Sequence, residues 1–279
     1  MKRTLSSRLY LLLFLFAFFI LVLSWFWPVS SSAVSVPERL QGPSAAHWLG
    51  TDQLGRDVLA RMLEGASYTI GFSLLAIVLS VLLGVPAGIL AGMKGGWIDR
   101  LFTRIGDSFL AFPDFLLALL LSAVLGPGLF NVVIAVVLVK WIQYSYLVRG
   151  ITREVTQGQA VLLSIINGSS TAAIIKAHVF PAIRSHVLVM STTDVGKVML
   201  LIASLSYIGL GAQPPSAEWG AMLNESRAYF TDSPRLLLIP GAAIAGTALL
   251  FHSAGDKWRD SFLKEETEAK EEKQCAANG

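Results

Sequence analysis

Two ionisable residues three positions apart, Asp194 and Lys197, lie inside an otherwise apolar run of the chain. This spacing places them on one face of a helix, where a carboxylate and an ammonium neutralise each other. Each alone would cost about 2.5 to 3.5 kcal/mol at the centre of a bilayer on insertion scales. They are therefore either a local ion pair or part of a hydrated path for a solute. Lys140, in the preceding apolar run, has a similar ambiguity, because its long side chain can reach an interface or face the path.

Residue patterns for enzymatic chemistry are not found in the sequence. The Gly196-Lys197 pair lacks the preceding glycine of a phosphate-binding loop, so we expect the chain not to bind ATP by itself. There is no His-Glu-x-x-His or Gly-x-Ser-x-Gly pattern, and the 4 histidines are scattered. The single cysteine, Cys275, has no partner for a disulfide or a thiolate metal site. We expect a non-catalytic chain without a bound metal or cofactor.

Composition predicts that membrane helices position the ionisable residues. The chain of 279 residues is 54% apolar and 15% charged, which lies in the range of integral membrane proteins. A span needs about 20 apolar helical residues. Six runs qualify, so we predict an all-α protein with six transmembrane helices, over 9–27, 70–91, 109–125, 129–147, 187–210 and 236–251. The run 9–27 is too long for a typical signal peptide, so we expect it to remain as an anchor.

Basic residues predict the orientation in the membrane. With the N-terminus in the cytoplasm, most of them fall on the inner side, which favours both termini in the cytoplasm. Their position at the ends of apolar runs also explains the net charge of +3 without nucleic acid. The outer side holds only Arg39, Arg56, Arg61, Arg227 and Arg235.

A polar-rich segment between the fourth and fifth spans predicts a cytoplasmic helical hairpin. Residues 159–166 and 170–179 each have helical composition. Gly168 can take the left-handed conformation that ends a helix, Ser169 or Ser170 can cap the next helix, and Pro181 is expected to end it. We interpret this hairpin as a docking element for a partner protein.

Two further features concern packing and the outer surface. Gly84, Gly88 and Gly92 recur every four residues and predict a smooth helix face that a neighbouring backbone approaches closely. Residues 217–230 have the composition of a short amphipathic helix on the outer side. That helix either caps the pore and contacts a partner protein or lies in the interface. Its candidate contact residues are Trp219, Met222, Glu225 and Arg227.

Three separated motifs resemble one known family. They are HWLGTDQLGRDVLAR from His47, the run from Gly84 that ends in GMKGGWIDR, and SLSYIGLGAQPPSAEWGAML from Ser204. Together they are similar to the C-type permease subunits of bacterial ABC importers for dipeptides, oligopeptides and nickel. The resemblance implies the type I importer permease fold with six spans. It also implies a second homologous permease, two ATPase subunits that use ATP and Mg, and an extracytoplasmic solute-binding protein.

The resemblance also gives the hairpin a role in coupling to the ATPase. In this family an Ala-rich helix is followed by a glycine turn and a later proline, which Gly168 and Pro181 match. An acid is usual near Gln159, and an Ala-Ala pair is replaced here by Leu163 and Ser164. The candidate coupling residues are Gln159, Leu163, Ser164, Gly168, Ser169 and Pro181.

The substrate is less constrained than the class of protein. Ile202 stands where peptide permeases of this family usually carry Glu, which favours nickel or a nickel chelate, such as a metallophore complex, over dipeptides or oligopeptides. The rival from another class is a secondary transporter coupled through Asp194 and Lys197, and a third reading is a channel or scaffold without energy coupling. We divide the chain into an anchor and outer segment (1–65), a permease core (66–260) and a charged disordered tail (261–279).

Overall fold

The computed structural model describes the backbone of residues 30–278 and the side chains of residues 30–260. In this range the chain is helical apart from loops and an isolated bridge between Thr51 and Asp57, as the predicted all-α class requires. In chain order the helices are α1 (Val58–Lys94), α2 (Gly96–Leu110), α3 (Asp114–Leu125), α4 (Leu129–Thr156), α5 (Gln159–Ile166), α6 (Thr171–Ile208), α7 (Trp219–Ser226) and α8 (Arg235–Asn278).

Four of these helices, α1, α4, α6 and α8, are long and apolar enough to cross a membrane. Helices α2 and α3 pass the same test only as a pair, so the described residues hold four spans, or up to five if this pair is one. The predicted span 9–27 lies outside the described residues. The total of six spans therefore stays a prediction.

The predicted span 109–125 is wrong as a single straight helix. Helix α2 ends at Leu110, α3 begins at Asp114, and the two are bent by 90°. Pro113 stands at the N-cap of α3, and a proline disfavours helical conformation in the residue before it. Helix α3 alone has 12 residues, or about 18 Å, which is shorter than a bilayer core of about 30 Å.

Helices α1 and α4 pack closely along a glycine face, as predicted. A Cβ atom added to Gly84 would lie 2.6 Å from the carbonyl oxygen of Trp141, and one added to Gly88 would lie 2.5 Å from that of Ser145. Gly92 is similarly close to the backbone of α4. Only glycine permits this approach of two backbones.

The α5–α6 hairpin, residues 159–181, follows α4. Helix α5 spans Gln159–Ile166 and Gly168 has a φ of +77°, both as predicted. The Ser170 hydroxyl accepts a hydrogen bond from the amide of Ala173 and caps α6. We call the end of the bundle where this hairpin lies the hairpin end.

The prediction that Pro181 ends the second helix of the hairpin is wrong. A π-helical turn, Ile175–Val179, comes first, and an α-helical segment then begins at Phe180 and continues to Ile208. Pro181 therefore lies in the first turn of that segment, where a missing N–H and a fixed φ are tolerated. The second arm of the hairpin and the membrane span thus belong to one helix, Thr171–Ile208.

Helix α6 ends at the opposite end of the bundle, where Gly209 adopts a φ of +102°. Helix α7 follows, shorter than predicted, and a 3-10 turn, Arg227–Tyr229, leads on to α8. The backbone of α8 is helical through Asn278, in contrast to the disordered tail predicted from residue 261. Its last part is rich in Glu, Lys and Ala, which are strong helix formers.

Candidate functional site

The first polar cluster joins α3 to α4 among apolar side chains. Lys140 is 6% exposed, and its Nζ donates to Asp114 Oδ2 at 2.7 Å and to Gln143 Oε1 at 3.0 Å. Gln143 Nε2 donates in turn to both carboxylate oxygens of Asp114. Asp114 also lies in the first turn of α3, where the helix dipole favours a negative charge. Lys140 is therefore neutralised inside the chain, which favours a structural role.

The second cluster contains the Asp194–Lys197 pair. Lys197 Nζ lies 3.1 Å from Asp194 Oδ1, so the ion pair expected from the spacing is present. The two partners differ in exposure, because Asp194 is 2% exposed and the Lys197 side chain is 59% exposed. The Tyr144 hydroxyl donates to the other carboxylate oxygen of Asp194 at 3.3 Å. The carboxylate is thus held within the bundle while the ammonium reaches its surface.

Sequence reasoning missed three partners in these clusters. Gln143 lies three residues beyond Lys140 on α4, and this helical spacing was a usable signal. Tyr144 bonds Asp194 on another helix, so its contact has no local signal. Asp114 directly follows Pro113, a pattern typical of a helix start, but its pairing with Lys140 depends on the tertiary structure. No group of three His, Cys, Asp or Glu side chains in the described chain is arranged to hold a metal ion.

The α5–α6 hairpin presents an apolar surface at the hairpin end. Leu163, Ile165 and Ile166 are 60%, 54% and 78% exposed. Ser164 is half-buried, and its hydroxyl lies 3.0 Å from His178 Nε2, which ties α5 to α6. The other predicted coupling residues are exposed, namely Gln159, Gly168, Ser169 and Pro181.

Helix α2 is fastened to α4 beside the hairpin. Arg149 donates from both Nε and Nη2 to the carboxylate of Asp99, with an Nη2 to Oδ2 distance of 2.8 Å. The Tyr146 hydroxyl donates a hydrogen bond to the carbonyl oxygen of Thr103 on α2 at 2.7 Å. Asp99 belongs to the GMKGGWIDR motif, which therefore fixes α2 across the end of α4.

A buried ion-pair network lies at the opposite end of the bundle. Arg61 Nη1 donates to Asp52 Oδ2 at 2.6 Å and to Glu225 Oε2 at 2.9 Å. Arg56 contacts the same two acids, at 2.6 Å and 2.5 Å. We call these four residues the outer network. It joins the loop before α1 to α7.

The outer network lowers the pKa of both acids. Burial raises the pKa of Asp52, but hydrogen bonds from the amides of Arg56 and Leu54 and the charges of Arg56 and Arg61 outweigh it. Burial likewise raises the pKa of Glu225, and the hydrogen bond from Arg61 with the two guanidinium charges outweighs it. Both carboxylates are therefore held in the charged form.

Helix α7 is built into the bundle. Trp219 and Met222 are 3% and 4% exposed, and Glu218 caps the helix by accepting from the amides of Gly220 and Ala221. Trp219 and Met222 therefore face the bundle rather than its surface in this conformation, and their contact with a binding protein or gate stays a prediction. The structure assigns Glu225 to the outer network, and Arg227 is exposed.

Ile202 is fully buried in the core of the bundle. An acid at this position would not face the exposed surface of the described chain. The presence of Ile rather than Glu at position 202 therefore does not discriminate between a nickel and a peptide solute.

Long apolar helices with internally paired charges are the architecture of an integral membrane protein. Residues 84–255 match the family described as "Binding-protein-dependent transport system inner membrane component". The chain belongs to this family. It is a non-catalytic permease subunit of an ABC importer and a component of the inner membrane.

Relatives and a solved structure agree with this assignment. The nickel transport system permease protein NikC of Escherichia coli (strain K12) is 36% identical over 256 residues, covering 91% of this chain and 92% of that protein. The glutathione transport system permease protein GsiD of Shigella flexneri serotype 5b (strain 8401) is 44% identical over 221 residues, covering 79% and 73%.

The solved structure is that of the MetNI methionine ABC transporter in inward-facing conformations. It matches with a TM-score of 0.53 and 14% identity, covering 72% of this chain and 96% of that chain. At this identity the likeness shows the fold alone.

Proposed function

We propose that the chain forms part of the translocation path for nickel or for a nickel chelate such as a metallophore complex. The observation that carries this proposal is the similarity to a nickel transport system permease protein over 91% of the chain. A second candidate solute is a dipeptide or oligopeptide. The higher identity, 44%, to a glutathione transport system permease protein favours that class over a shorter stretch.

In this proposal, the ATPase subunits open and close the translocation path by acting on the α5–α6 hairpin. Leu163, Ile165 and Ile166 offer apolar area that an ATPase subunit can bury. Because α6 is helical from the hairpin, through its π-helical turn, into the membrane, a displacement of the hairpin would reach Asp194 and Lys197 along one continuous helix. ATP and Mg are used by the partner subunits, and this chain binds no cofactor.

The proposed assembly contains a second homologous permease, two ATPase subunits and an extracytoplasmic solute-binding protein. The hairpin end faces the cytoplasm, as do both termini, and the outer network lies on the other side. Arg227, exposed beyond α7, is the candidate contact for the binding protein.

The rival function is a secondary transporter coupled through Asp194 and Lys197. Their ion pair would have to open and close as a coupling ion or proton passes. The apolar hairpin has no role in that scheme, whereas in the ABC importer it is the surface that the motor needs.

Transport assays in proteoliposomes test these proposals. The purified complex is loaded with ATP and offered free nickel, a nickel–histidine chelate and a dipeptide, with and without its binding protein. We expect ATP-dependent uptake of the chelate. Uptake driven by an ion gradient without ATP would overturn the importer mechanism, and ATP-dependent uptake of the dipeptide alone would reassign the solute.

A further inference from the structure

Helix α6 has a buried face and an exposed face in its outer half. Val195, Met199, Ile202 and Ser206 are buried against the bundle. The exposed face carries residues at helical spacing, namely Lys197, Leu200, Ser204, Tyr207 and Ile208, which we call the Lys197 stripe. Three of these five side chains are polar, which is unusual for a surface meant only for lipid.

The depth of Lys197 makes contact with lipid chains unfavourable. It lies about three turns, or about 16 Å, before the end of α6. That is about half of a hydrocarbon core of about 30 Å. Charged side chains at this depth face a water-filled cavity or a protein partner rather than lipid. With 59% of its side chain exposed, Lys197 has no such cover within the described part of the chain.

The Asp194 carboxylate pairs with Lys197 from the bundle side only, so the outward side of the ammonium is left open. Asp194 is 2% exposed and lies behind the ammonium. Lys140 is also buried, and both carboxylate oxygens of Asp114 already accept hydrogen bonds. A lysine has three N–H donors, and one contact here goes to Asp194. The exposed surface around this level of α6 therefore presents an ammonium with unused donors.

We infer that the Lys197 stripe lines the translocation path and that Lys197 selects solutes that carry a carboxylate. This rests on the proposed importer function. A single monovalent ammonium with two donors to offer suits a monovalent carboxylate, as its existing contact with Asp194 shows. A bare divalent cation finds no open ligand at this level, because the Asp194 carboxylate is buried and already paired. The inference therefore narrows the candidates to an anionic metal chelate or a peptide with a free carboxyl terminus.

Thiol labelling in the intact complex tests the inference without knowledge of the solute. Cys275, the single cysteine, is replaced by serine and Ser204→Cys is introduced on the stripe. The labelling rates with an anionic and a cationic methanethiosulfonate reagent are measured from water. We expect labelling by both reagents, and we expect Lys197→Gln to lower the anionic-to-cationic rate ratio about fivefold.

The control variant is Lys257→Gln, which removes an exposed lysine on α8 and should leave the rate ratio unchanged. No labelling at Ser204→Cys would overturn the inference, since it means that lipid or a partner subunit covers the stripe. A rate ratio that Lys197→Gln does not change would overturn it as well.

Transport supplies a second readout. For a dipeptide and its C-terminal amide, we compare the uptake rate of Lys197→Gln with that of the unaltered complex, so that selection by the binding protein cancels. The inference expects a larger loss for the free acid, restored by Lys197→Arg. Equal losses would count against it. Uptake that needs no ATP would instead remove the proposed function while leaving the labelling result intact.

Discussion

The outer network and the α5–α6 hairpin lie at opposite ends of the bundle and are built from opposite kinds of surface. In the outer network two arginines and two acids are paired, and Asp52, Arg56 and Arg61 are all below 4% exposed. In the hairpin, large apolar side chains are exposed, with Ile166 at 78%. The charged groups of the outer network are paired with each other, whereas the apolar side chains of the hairpin stay exposed in this chain.

In the proposed importer, this difference would separate the fixed outer network from the hairpin that receives motion from the ATPase subunits. Opening the outer network would leave buried charges without partners, which typically costs about 3 to 5 kcal/mol. The hairpin has no comparable internal constraint, and covering it gains about 25 cal/mol per Å² of apolar surface. We therefore expect that, in the proposed importer, an ATPase subunit bound at the hairpin end would move α6 while α7 and the loop before α1 remain joined.

The largest expected loss of stability follows a substitution in the outer network. Arg61→Met removes the guanidinium shared by Asp52 and Glu225 and leaves two buried carboxylates with Arg56 alone. We expect the free energy of unfolding to fall by about 3 to 5 kcal/mol. Thermal unfolding of the purified complex, followed by tryptophan fluorescence, measures the loss.

The matched control is Arg227→Ala, which removes an exposed arginine just beyond α7. Its effect should stay within about 0.5 kcal/mol, as for surface substitutions generally. Equal stability of the two variants would show that the outer network does not hold the two segments together.

Lowering the pH should destabilise the outer network before it affects the hairpin. The pKa values of Asp52 and Glu225 are lowered on folding. Their stabilising contribution is therefore complete above the unfolded values of about 3.9 and 4.3. It is lost as the pH falls through the lower folded values. Hydrogen exchange should show α7 opening first below about pH 4, and in Arg61→Met this pH dependence should shrink.

A smaller effect is expected at the turn of the hairpin. A Cβ added to Gly168 or to Gly150 would meet nothing within 4 Å, but only Gly168 has a left-handed φ, +77°. Gly168→Ala should therefore strain the turn by about 1 to 2 kcal/mol. We expect reduced uptake per ATP hydrolysed in the reconstituted complex.

Gly150→Ala is the matched control, since helical glycine to alanine is neutral or stabilising by up to about 1 kcal/mol. Uptake and ATP hydrolysis should keep their ratio in this variant. If Gly168→Ala also keeps the ratio, the conformation of the turn has no part in coupling.

Local signals in the sequence were sufficient to predict the first helix and the turn of the hairpin. The composition of 159–166, a glycine two residues after α5 and a serine before α6 are local signals, so α5 and the turn that follows it were predicted. The glycine face of α1 was also predictable because its period is that of a single helix. Pro181 misled the prediction, because a proline in the first turn of a helix has the same sequence signal as one that follows a helix.

Contacts between distant segments could not be predicted in the same way. Glu225 meets Arg56 and Arg61 across more than 160 residues of chain, and nothing local marks the two arginines as buried. Lys140 and Asp114 belong to different helices, and their pairing depends on the break at Pro113. The same tertiary packing turned Trp219 and Met222 from expected surface contacts into core residues.

The smallest effect on stability is expected at the apolar surface of the hairpin, together with a clear effect on assembly. Ile166→Ser removes a side chain that is 78% exposed, so the stability of the chain should change by less than about 0.5 kcal/mol. If the ATPase subunit buries this side chain, its affinity should fall about tenfold. Titration of the ATPase subunit onto the permease pair in nanodiscs measures this.

Leu101→Ser is the control at the same end of the bundle, because Leu101 is 43% exposed but belongs to α2. It should leave the affinity for the ATPase subunit unchanged. A loss of affinity in Leu101→Ser and none in Ile166→Ser would move the docking surface from the hairpin to α2. The hairpin would then no longer be the place where motion enters the bundle.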